Sequence, residues 1–255
     1  MKRIIIAIVL SLTLLAAPFA AMGADTSTTE HFIEKYQTNY QTYLSHEGPI
    51  VDAFRTIYSQ SLADQIVARA IWYMEYGFMV YGSHRYATTG EIFCSNFVYL
   101  VYKDFGYTLT SYASRYDQVG VPVKGVYSAL KPGSTTRYQL VGVENLRPGD
   151  IFTFWKEDSN GNRYIGHVAL YMGVINGKPC IIHTCGAGRP TAIGITNSFT
   201  WWYGKHFAGA RRILGSSAQV PNYTLSKDVG PVIPESYVLP PQTEIIMPND
   251  LPTRF

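Results

Sequence analysis

Three strand-like runs crowd the second half of the chain: "IFTFW" from Ile151, "YIGHVALYMG" from Tyr164 and "KPCIIHTCG" from Lys178. A Pro148-Gly149 turn leads into the first, an Asn160-Gly161 turn follows it, and a glycine-bounded loop over residues 173–177 separates the other two. Strands joined by links this short pair with their neighbours as an antiparallel meander. Upstream, Leu62, Ile66, Val67, Ala70, Ile71, Met74 and Phe78 recur at helical spacing, which predicts an amphipathic helix from Leu62 to Phe78. A second helix is expected in "GEIFCSNFVYLVY", with Cys94, Phe97, Val98, Val101 and Phe105 on one face and Gly106 as its stop. Thr88 and Glu91 have capping-box spacing and offer an earlier start for it. Helices first and a meander second make the α+β class, closed by a strand in "FAGARRIL".

The ends read differently. Residues 1–23 carry Lys2 and Arg3, then an uncharged apolar run and small residues, the anatomy of a cleaved secretory signal. No cysteine sits near the cleavage region, so no lipid anchor is expected, and no membrane span remains after cleavage. Residues 24–61 form a polar, tyrosine-spotted extension broken at Gly48-Pro49, residues 62–215 the main domain, and residues 216–255 a proline-rich tail. The formal charge of +3 falls towards neutral when the leader takes its two cations away. Such a balance argues against a nucleic-acid partner. The expected location is secreted or periplasmic.

Cys94, Cys180 and Cys185 all survive processing into an oxidising compartment, and an odd count leaves one thiol without an intramolecular partner. Whether Cys180 and Cys185 bridge is open, since they would need a tight turn between them. Cys94 is either a small core residue or a nucleophile. The second role needs a helix start or an imidazole to free the thiolate. Among six histidines, His167 and His183 lie inside apolar strands, where a single histidine is ordinarily a core residue with one satisfied hydrogen bond. Two on neighbouring strands supply a base and a group to orient it. Their register is a test: a two-residue turn at Asn176-Gly177 puts them on opposite faces, whereas a five-residue loop over 173–177, or a bulge, puts them on one.

The blocks "FCSNFVYLVYKDFGYTL", "LRPGDIFTFW", "GHVALYMG", "IIHTCG" and "GARRIL" resemble, in order and approximate spacing, those of the NlpC/P60 family of papain-like cysteine peptidases. The resemblance runs from about Tyr81 to Leu214. It implies the papain-like fold, with the cysteine at a helix head packed on an antiparallel sheet that carries the histidines. It makes Cys94 the nucleophile, His167 the general base and His183 the group that orients His167. Tyr86 would lie by the oxyanion site with the Cys94 N–H, and Ser95 would help bind the substrate. Ser114 and Arg115 fall in "ASRYDQ", a loose match to a family substrate loop. Phe93 and Asn96 stand where the family has aspartate and glycine, which puts recognition of a free amino end in doubt and leaves the thiol chemistry untouched. The implied function is hydrolysis of a D-glutamyl to diamino acid amide bond in the stem peptide of peptidoglycan, with no cofactor and no metal. Three alternatives stay open: an amidase or acyltransferase with another substrate, a non-catalytic wall-binding module that keeps Cys94 as packing, and a zinc site of Cys94, His167, His183 and Cys185. The zinc reading fits no compact zinc-module spacing.

Overall fold

The computed structural model describes residues 42–77, 79–83, 86, 90–185 and 192–215. The expected signal, the start of the extension and the proline-rich tail lie outside these residues. A six-stranded antiparallel sheet runs in the order β3-β10-β6-β7-β8-β9. Its strands are β3 (Val121–Pro122), β6 (Ile151–Glu157), β7 (Arg163–Ile175), β8 (Lys178–Thr184), β9 (Ile193–Thr196) and β10 (Phe207–Arg212). Two small pairs sit outside it: β1 (Val80–Tyr81) with β2 (Glu91–Ile92), and the hairpin β4 (Tyr127–Leu130) with β5 (Tyr138–Val141).

Alternation along the long strands sorts the core into two faces, as a pleated sheet requires. Val168, Leu170, Met172, Cys180 and Ile182 pack against the helices α1 (Gly48–Ile57), α2 (Leu62–Tyr76) and α3 (Cys94–Lys103). Phe152, Phe154, Ala169, Tyr171 and Ile181 face the other way, towards Val126 just before β4, Leu140 of β5, Phe199 and Tyr203 of the short helix α4 (Trp202–His206). Among the described residues no helix is long and apolar enough to cross a membrane.

The helices begin where their chemistry allows. Ser61 caps α2 by accepting a hydrogen bond from the Asp64 N–H at 3.1 Å. Pro49 does not break the chain as expected: it sits in the first turn of α1, where its missing N–H costs nothing. Helix α1 then buries Ile50, Val51 and Phe54, so part of the stretch read as an extension belongs to the core. Arg69 of α2, fully buried, reaches Asp104 beyond the last turn of α3 at 2.7 Å and lies 4.0 Å over the Trp72 ring.

Two buried carboxyls give the fold measurable signatures. Asp150 receives both Arg212 nitrogens, at 2.8 and 2.6 Å, and the Arg147 N–H at 2.8 Å, which pins β10 to the turn before β6. Removing one partner of a buried ion pair strands the other, at a cost of roughly 3–5 kcal/mol. Asp150→Ala is expected to lower the thermal midpoint by about 10 °C; a shift under about 2 °C in a thermal melt would show the pair to be dispensable.

Glu75 is buried against the Tyr43 hydroxyl and against Arg55, 3.2 Å away. Burial holds its carboxyl up to about 7, against the opposing pull of Tyr43 and Arg55. A folded value above the unfolded one means that the folded state binds this proton more tightly. Glu75's contribution is therefore full below about 4.5 and is lost as pH rises through 7. Melts of wild type and Glu75→Gln should diverge in favour of the variant between pH 5 and 8; parallel curves would contradict the assignment.

Candidate active site

Cys94 is the first residue of α3. Phe93, extended at φ −102° and ψ 167°, is its N-cap and provides no side-chain cap. The earlier start suggested by Thr88 and Glu91 does not occur, because Glu91 and Ile92 are drawn into β2 beside Val80 and Tyr81. The unsatisfied N–H groups of a helix start therefore lie at the thiol. Burial pushes the Cys94 thiol above its ordinary value, and the backbone N–H groups of Val168, Ser95 and Cys94 itself, with the Lys156 charge, pull the other way. The contact with Val168 sets the sulfur against β7 at the peptide that joins His167 to Val168.

His167 sits on β7 opposite Phe154. The hairpin to β8 has the tight turn: Ile175 pairs with Lys178, and Asn176 and Gly177 adopt φ 51° and 73°. A turn of this kind alone would put His183 on the far face. Met172 breaks that pattern as an extra, bulged residue between the Tyr171–Ile181 and Gly173–Cys180 pairs, and Gly173 takes φ 115° beside it. The bulge shifts the register by one and returns His183 to the face of His167. His167 Nε2 and His183 Nδ1 are 2.9 Å apart.

His183 is fully buried, with Nε2 3.0 Å from Thr196 Oγ1 on β9 and Nδ1 3.0 Å from the Thr184 carbonyl. His183 Nδ1 faces both a carbonyl, which can only accept, and His167 Nε2: with its proton on Nδ1 His183 donates to the Thr184 carbonyl, and with its proton on Nε2 it donates to Thr196 Oγ1 and can accept from His167 Nε2. The second tautomer leaves His167 Nδ1 to accept a proton. Burial, reinforced by Lys156, pushes His167 down to about 4, so the ring is neutral at physiological pH. No hydrogen bond joins it to Cys94 among the described residues: His167 shares the sheet face of Phe154, whereas Cys94 belongs to the core on the helix side.

The other expected site residues divide. Ser95 lines the opening at Cys94, but its hydroxyl is committed to the Ser111 carbonyl at 2.7 Å, holding the loop above the helix start. Ser114 lines the same opening. Arg115 does not; it is exposed, with its guanidinium 5.0 Å over the Tyr112 ring. Tyr86 is not brought to the opening either: it is buried, its hydroxyl donating to the Gly77 carbonyl at 2.8 Å and its ring meeting Tyr73 edge-on. Tyr81 stands there instead, edge-on to Phe93 at 5.5 Å and within electrostatic reach of Cys94. It lines both the Cys94 opening and an adjoining one that holds His167.

Sequence reasoning missed Tyr81, Thr196 and Lys156. Thr196 carried no signal, because its strand β9 is a four-residue segment, "IGIT", with no histidine or cysteine to draw attention. Cys94, Cys180 and Cys185 are free thiols. The described residues contain no group of three or more His, Cys, Asp or Glu side chains placed for a metal ion.

The architecture is α+β, with a helix-head cysteine packed on an antiparallel sheet that carries two histidines in contact. Comparison with protein-family models gives no match, and no curated protein matches the chain. Among solved structures, it is similar to an NlpC/P60 family protein from Bacillus cereus at 23% identity and a TM-score of 0.39, over 64% of this chain and 42% of that one. It is also similar to a Staphylococcus aureus protein described as similar to lipoprotein, NLP/P60 family, at 21% identity and a TM-score of 0.37, over 60% of this chain. The chain spans 42% of the length of each.

Proposed function

We propose that the protein is an exported cysteine hydrolase of the NlpC/P60 type that cleaves an amide bond in peptidoglycan stem peptides, between D-glutamate and the diamino acid. The observation that carries this reading is the 2.9 Å contact of His183 with His167, whose next peptide along β7 touches the Cys94 thiol. Cys94 attacks the amide carbonyl carbon while His167 Nδ1 takes the thiol proton. The backbone N–H groups at the start of α3 face the oxygen that becomes charged. His167 returns the proton to the leaving amine, and a thioester remains on Cys94. A water then attacks the thioester with His167 again as base, releasing the carboxylate and restoring the thiol. Through both steps His183, held by Thr196, keeps His167 in the tautomer that accepts at Nδ1.

Digestion of purified muropeptides, with products identified by mass, tests the reading. The expected products are a fragment ending in D-glutamate and one beginning with the diamino acid. Muropeptides left intact by a protein whose Cys94 still reacts with a thiol probe would move the activity to another amide.

A further inference from the structure

Two openings share Tyr81 in their linings, and among the described residues that line them Lys156 on β6 carries the one formal charge, with no aspartate or glutamate. Lys156 forms no ion pair or hydrogen bond with the described residues, yet its field reaches both Cys94 and His167. Its stem is held by the missing side chain of Gly166, where a Cβ would come within 2.6 Å of Lys156 Cδ. On the same wall Thr184, only 5% exposed, has a buried Oγ1 with no hydrogen-bond partner. Among the described residues, a cation without a counter-ion and a buried hydroxyl without a partner line one opening and lack the same thing: an acceptor with negative charge.

We infer that Lys156 and Thr184 form an anion subsite in the opening of His167, and that the substrate carries a carboxylate on the acyl side of the bond that Cys94 attacks, a few carbons from it. The ammonium pairs with the carboxylate and the Thr184 hydroxyl donates to it. This deepens the hydrolase reading, on which it rests, by making the α-carboxylate of the glutamyl residue a recognised group.

Alkylation separates the subsite from the catalytic reading. Iodoacetate and iodoacetamide both transfer a carbon to the thiolate with loss of iodide and differ in carrying a carboxylate or a carboxamide. Their rate ratio at Cys94, read by mass spectrometry of the Cys94 peptide and divided by the ratio for glutathione, cancels any change in thiol nucleophilicity. The expected value is about ten for the wild type at low salt. It should remain near that in Lys156→Arg, fall to about one in Lys156→Met, drop below one in Lys156→Glu, and shrink in about 1 M salt. Equal ratios in wild type and Lys156→Met would overturn the proposal. A matched pair of stem peptides, with the glutamyl α-carboxylate free or amidated, completes the test: the wild type should prefer the free acid about tenfold and Lys156→Met should show no preference. If neither peptide is cut while the iodoacetate preference stands, the subsite holds and the peptidoglycan reading fails.

Discussion

Cys94→Ala is expected to lose muropeptide hydrolysis by a factor of about 10⁴ or more, to the level of binding and oxyanion stabilisation alone. His167→Ala should lose about 10² to 10⁴, the ordinary worth of a positioned general base. Because the two groups act on one proton, the double variant should be no slower than Cys94→Ala. Losses that multiply would mean that the thiol and the imidazole work separately. Folding is not expected to confuse the result: Cys94 is a small residue at a helix start, and alanine keeps the Cβ that packs there. Equal thermal midpoints for wild type and Cys94→Ala would confirm that activity alone was removed.

The second large effect is the pH dependence of Cys94 alkylation. Burial raises the thiol above 9.0 and lowers His167 to about 4, so the resting pair is neutral at both groups. A preformed thiolate–imidazolium pair would need the opposite order. Below its own pKa a thiol gains thiolate about tenfold per pH unit, so iodoacetamide should label Cys94 some hundredfold faster at pH 8 than at pH 6. A flat, fast rate across that range would instead establish a resting ion pair. Hydrolysis should follow a different curve, because His167 stays neutral, and able to take the proton, until pH falls towards 4. Activity that persists at pH 5, where alkylation is slow, is the combined signature. It would mean that the proton moves only when a substrate carbonyl is present to receive the sulfur.

What the sequence discloses here depends on periodicity. Helix α2 follows from its spacing and ends within two residues of expectation, and the strands β6, β7 and β8 follow from runs of Ile, Val, Phe and Tyr. The hairpin of β4 and β5 did not, since "YSAL" and "YQLV" are half-exposed and lack a sustained alternation. The link from β6 to β7 is longer than the Asn160-Gly161 pair implied. Asp158 organises it, its Oδ1 accepting from the N–H groups of Asn160 and Asn162.

The candidate site divides in the same way. Cys94 and the two histidines stand out as residue types foreign to apolar segments. Lys156 reads as one more polar residue at a strand end, and only the fold reveals that the thiol and the imidazole lie within its field. By motif Tyr86 is the expected tyrosine, and Tyr81 goes unmarked. Tertiary packing separated them, drawing Tyr86 under Tyr73 and leaving Tyr81 at the rim of the opening.

The bulge at Met172 makes the hairpin behave as a reading frame. The two-residue turn and the extra residue each change the parity of the pairing, and only their combination leaves His183 in phase with His167. A single deletion at Met172, or a single insertion at the turn, would put every residue of β8 out of phase, trading Ile182 for His183 against the helices. Made together, the two changes would restore the frame, so in a homologous hairpin turn length and bulge should vary only as a pair.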